Sequence, residues 1–137
     1  MNPTVRTLLA ILAGIITTFL SGLILFPVLK WIIIKNLHIF EKSSTVNNVA
    51  IFVAVFLWIA ISSFLGGLTT AFAAPGRNIF YSLITGVISF VFVLCFAFYQ
   101  QDSFSLLGVL PALEVIIFSL IGGIVQRKIA LRKYEAE

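Results

Sequence analysis

Charge is what this chain has least of. Of its 137 residues, nine are Lys or Arg and five are Asp or Glu, 10% in all. An ordinary soluble domain carries about 25%. A chain this poor in charge cannot cover a water-facing surface, so its expected solvent is lipid. Cysteine is nearly absent too: Cys95 stands alone in an apolar run, which excludes an internal disulfide. His38 is the one histidine, read as an interfacial side chain. The sequence has no glycine-rich phosphate loop, no histidine pair, no paired carboxylates inside its apolar runs and no Ser/His/Asp set. An enzyme acting alone is therefore not expected, and neither is a metal or a cofactor.

What fills the chain is apolar. Hydrophobic residues make up 61%, with 14 phenylalanines among them, and the mean hydropathy is +1.15. Four long runs stand out, at about 8–29, 49–74, 79–99 and 106–125. A transmembrane helix needs about 20 such residues. The first run exceeds the roughly 7–15 residues of a signal-peptide core and is read as a retained span. The expectation is one all-α domain over 1–137, with four transmembrane helices in two antiparallel hairpins.

Polar residues mark the ends of these runs. Arg6, Lys30, Trp31, Arg77, Arg127 and Lys128 sit where basic and indole side chains anchor helices in the interface. Pro27 predicts a kink late in the first span. The connection over 32–48 opens with IIIKNLHIF, a candidate surface segment, and ends with Asn47 or Asn48 as the helix cap. Pro75–Asn78 forms a tight turn, and Gln100–Ser103 forms the next, with Asp102 or Ser103 able to cap. Residues 126–137 read as a basic tail. An even number of spans puts Arg6, Arg77, Arg127, Lys128, Arg132 and Lys133 on one side, against Lys30, Lys35 and Lys42 on the other. The excess of positive charge places both termini in the cytoplasm of a bacterial inner membrane. The net charge of +4 is thereby explained by topology and lipid, not by nucleic acid.

Small residues trace the packing faces. Ala10, Gly14, Thr18 and Gly22 recur every fourth residue, and Gly66, Gly67, Gly86, Gly122 and Gly123 lie among serines and threonines. Such residues let backbones approach closely, which is how helices associate in lipid. Residues 61–68 (ISSFLGGL) match 117–124 (IFSLIGGI), and Gly14–Thr17 match Gly86–Ser89, in the same order. That is the pattern of a duplicated hairpin, and also one that apolar low-complexity sequence yields by chance.

One charge lies well inside an apolar run. Glu114 is the ninth residue of the fourth span, near mid-membrane. An acid there costs about 2.5–3.5 kcal/mol to insert and is a functional candidate by default. With Pro111 and Gly108 before it, one reading is a broken helix lining a polar site for an ion or proton. The other starts the regular helix near Leu110 and makes Glu114 a structural hydrogen bonder, or a partner of Lys30. Thr17, Ser62, Ser63, Thr85 and Ser89 are the candidates for a hydroxyl-lined path.

In size, span number and a lone membrane glutamate, the layout resembles the small multidrug resistance transporters, proton-coupled antiporters that work as dimers. The resemblance covers layout alone. Their acid lies in the first span, which here has none, so no residue is carried over.

The first expectation is a non-enzymatic accessory subunit that packs in the bilayer with itself or with other membrane proteins. The alternative is a small oligomeric transporter or channel using Glu114.

Overall fold

The computed structural model describes residues 2–37, 44–74, 79–100 and 106–135. Four helices account for nearly all of them: α1 (Pro3–Leu37), α2 (Ser44–Ala73), α3 (Ile79–Gln100) and α4 (Leu106–Glu135). Over Pro3–Leu29 and Phe52–Ala73, α1 and α2 are long and apolar enough to cross a membrane, whereas the apolar part of α3, Ile79–Cys95, is shorter.

The helices overrun the apolar runs that seed them. α1 begins at a cap the sequence reading missed. Asn2 accepts the Thr4 amide through Oδ1 at 3.1 Å, with Pro3 as the first helical residue, where a missing N–H costs nothing. It then passes through Pro27 and on to Leu37, so the surface segment expected after Lys30 is in part helix. α2 opens at Ser44, which puts Asn47 and Asn48 inside its first turns and not at its cap. α4 is helical across Gly108, Leu110 and Pro111, so it neither breaks there nor starts at Leu110. It also runs on to Glu135, turning most of the expected tail into helix. In each case adjoining backbone already in the α region propagates at one hydrogen bond per residue, while starting or stopping a helix carries the cost. His38, the Pro75–Asn78 turn and the caps at Asp102 and Ser103 lie outside the described residues.

The core is made of the wrong residues for water. The buried apolar side chains among the described residues are seven alanines and Val115. The largest fully buried side chains after Val115 are Thr70, Thr85, Ser63, Ser82, Ser89 and Ser119. No Leu, Ile or Phe whose side chain is described is buried, and Leu8, Leu23, Ile24, Phe72, Phe80 and Phe92 are each more than half exposed. A soluble domain folds by doing the reverse.

Small side chains inside mean close backbones. A Cβ on Gly14 would collide with Thr70 Oγ1 and come within 2.8 Å of the Gly66 carbonyl. A Cβ on Gly66 would collide with Thr18 Oγ1 and come within 2.8 Å of the Gly14 carbonyl. The α1–α2 crossing is thus two copies of one motif, glycine with threonine four residues on, laid against each other. Further along, Gly22 faces Trp58 and Ser62, so residue numbers rise on α1 as they fall on α2.

Candidate functional site

Two features compose the site: a hydroxyl and glycine seam between α2, α3 and α4, and the Glu114 carboxyl beside it. At the seam, Gly67 of α2 lies against the Ser119 backbone of α4, and Gly122 of α4 lies against Phe64 O and Leu68 N of α2. Gly86 of α3 meets Ser119 and Ile116, and Gly123 meets Ser82. The double glycines therefore each serve two neighbours. Gly66 faces α1 and Gly67 faces α4, while Gly122 faces α2 and Gly123 faces α3. A strict hairpin repeat would have Gly122 facing α3, as Gly66 faces α1, so the matched sequences do not make matched contacts.

Hydroxyls bind the seam together. Ser119 donates to Ser82 O at 2.8 Å, and Ser82 donates to Gly67 O at 2.9 Å, linking α4 to α3 to α2. Thr70 and Thr85 pair at 2.9 Å. Most other hydroxyls satisfy themselves within their own helix: Thr17 on Ala13 O, Thr18 on Gly14 O and Ser62 on Trp58 O, and whichever of Thr70 and Thr85 accepts in their pair donates to its own helix, at Gly66 O or Tyr81 O. The hydroxyl path expected from sequence is thus largely committed to backbone. Of its five members, Ser63 and Ser89 are buried without a hydrogen-bond partner among the described residues.

Trp58 is half-buried, and its Nε1 donates to Gly22 O at 2.7 Å. Phe26 packs on its ring at 5.0 Å. The signal was available, because an indole N–H inside an apolar run needs an acceptor, and a helix carbonyl is reachable where a glycine leaves room.

Glu114 is 7% exposed, and neither carboxylate oxygen has a hydrogen-bond partner among the described residues. Ala112, Val115 and Ser119 are the buried residues of α4 around it. At about 100° per residue, Glu114 lies about 140° around the helix from Ser119. Pro111 shares its helix, one turn earlier, and the side chain of Lys30 lies outside the described part. No group of three or more His, Cys, Asp or Glu residues able to hold a metal occurs among the described residues.

The expected anchors Arg6, Trp31, Arg127 and Lys128 are exposed, and Arg77 lies outside the described residues. No protein-family model, curated protein or solved structure matches the chain.

Proposed function

We propose that this chain is a small, non-enzymatic integral membrane protein. Its four helices span the bilayer as two antiparallel hairpins, with both termini on the cytoplasmic side of a bacterial inner membrane. It works as an accessory or interaction subunit, packing with itself or with other membrane proteins. The observation that carries this reading is the inverted core: alanine, glycine, serine and threonine inside, large apolar side chains outside. In lipid, large side chains gain nothing by moving inward, and close backbone packing with interhelical hydrogen bonds holds helices together. The α1–α2 contact register supports the first hairpin. The expected partners are lipid and either further copies of the chain or other membrane helices. Gentle detergent extraction, chemical crosslinking and mass measurement test the assignment. A discrete oligomer or a co-purifying membrane protein is expected, and a strict monomer with nothing bound contradicts it.

Glu114 favours a second reading, that of an oligomeric ion- or proton-coupled transporter or channel. A buried carboxyl with no hydrogen-bond partner among the described residues is expensive for a protein that only packs. Reconstitution into liposomes with an imposed ion or pH gradient is the test. Flux that Glu114→Gln abolishes supports this reading, and flux that survives the substitution removes it.

A further inference from the structure

We infer that the outer face of α4 is a binding site for an anionic phospholipid, with acyl chains along its isoleucines and the headgroup held by the basic residues that follow them. This rests on the membrane reading above.

The argument starts from which α4 residues face outward. Leu113, Ile117, Ile121 and Ile124 are exposed, while Ala112, Val115, Ser119, Gly122, Gly123, Gln126 and Ala130 are buried. At about 100° per residue the exposed four fall within one stripe, opposite the buried set. Lys128 and Arg132 continue that stripe one and two turns beyond Ile124, with Arg127 and Leu131 beside them, all exposed. The stripe from Leu113 to Ile124 is about 16 Å long, close to one leaflet of a hydrocarbon core about 30 Å thick. Its surface therefore changes from acyl-chain chemistry to headgroup chemistry at the depth where a bound lipid does the same.

The basic end is held in place. Because α4 stays helical to Glu135 and keeps Gln126 and Ala130 packed inward, Lys128 and Arg132 are presented outward at fixed positions one turn apart. A phosphate diester offers acceptors to both, and arginine and lysine are the usual donors for it. Exposed Ile129 and Leu131 fit a boundary where chains meet headgroups. A soluble acidic partner has no use for the isoleucine stripe below, so the continuity of the two favours lipid.

The test uses the full chain in nanodiscs of phosphatidylcholine mixed with phosphatidylglycerol, released into the gas phase to count retained lipids. Each basic residue near anionic lipid contributes about a fivefold preference. Wild type should keep phosphatidylglycerol selectively, and Lys128→Gln with Arg132→Gln should lower that selectivity at least about tenfold. The swap Lys128→Arg with Arg132→Lys should retain it. Selectivity that survives the double glutamine variant overturns the inference. So does selectivity lost equally through Arg6→Gln, which would mean diffuse attraction to the whole basic end, or displacement of the lipid by inorganic phosphate. A chain that stays in solution without detergent or lipid overturns the membrane reading itself, and the same preparation distinguishes that result.

Discussion

Two glycine-to-alanine substitutions should have opposite signs. At Gly67 a new Cβ would come within 2.6 Å of the Ser119 carbonyl carbon and 2.7 Å of its Cα, and would strike the carbonyl oxygen as well. All three are backbone atoms that no rotamer change can move. α2 and α4 would have to part by roughly 1 Å to restore van der Waals contact. Overpacking of this kind costs about 1–3 kcal/mol. Where α2 is the helix that yields, its Gly67 O also shifts from Ser82 of α3, a bond worth about 0.5–1.5 kcal/mol. Replacing a helical glycine by alanine returns about 1 kcal/mol. Gly67→Ala should therefore destabilise by about 1–3 kcal/mol net. At Gly22, by contrast, the new Cβ would meet Trp58 Nε1 at 3.5 Å and Ser62 Oγ at 3.7 Å, ordinary contacts. Gly22→Ala keeps the propensity gain and should be neutral or stabilising by up to about 1 kcal/mol. Unfolding in mixed micelles, followed by tryptophan fluorescence, measures both. Equal destabilisation by the two, or no effect at Gly67, would refute the packing geometry.

Other substitutions probe single contacts. Trp58→Phe keeps a ring against Phe26 but removes the donor to Gly22 O, and should cost about 0.5–1.5 kcal/mol in the same unfolding measurement. A double-mutant cycle of Thr70→Val and Thr85→Val should give a coupling of about 0.6 kcal/mol, the size usual for hydroxyl pairs between membrane helices. Glu114→Leu removes a buried carboxyl that has no hydrogen-bond partner among the described residues, and should raise stability by about 1–3 kcal/mol. If instead it unfolds the protein, Glu114 has a partner that ties the bundle together.

Much of this architecture is legible in the sequence because composition and period carry it. Four apolar runs predict four helices, and fourth-residue spacing puts Gly14, Thr18 and Gly22 on one face without knowledge of the partner. The helix ends were harder to read. Asn47 and Asn48 look like caps beside an apolar run, yet helix already begun at Ser44 carries through them. Pro111 looks like a first helical turn, but its missing N–H removes one bond from a helix that otherwise continues. Partner choice is also invisible to a linear pattern. Gly66 and Gly67 are neighbours in sequence and lie about 100° apart on the helix, so they face different helices. That difference, and not the repeated sequence, sets the contacts. Glu114 stands out in the sequence by its charge. Which side chains it meets depends on the register between helices, which a linear pattern does not carry.

Membrane topology is the claim on which the rest depends, and cysteine labelling tests it most directly. With Cys95 replaced by serine, single cysteines at Arg6, Arg77, Lys128, Lys42 and Leu23 would be exposed in intact cells to a membrane-impermeant maleimide. The account predicts labelling at position 42 from outside, at 6, 77 and 128 only after the cells are opened, and none at 23. Labelling of 6 and 128 from opposite sides, or ready labelling at 23, would contradict it.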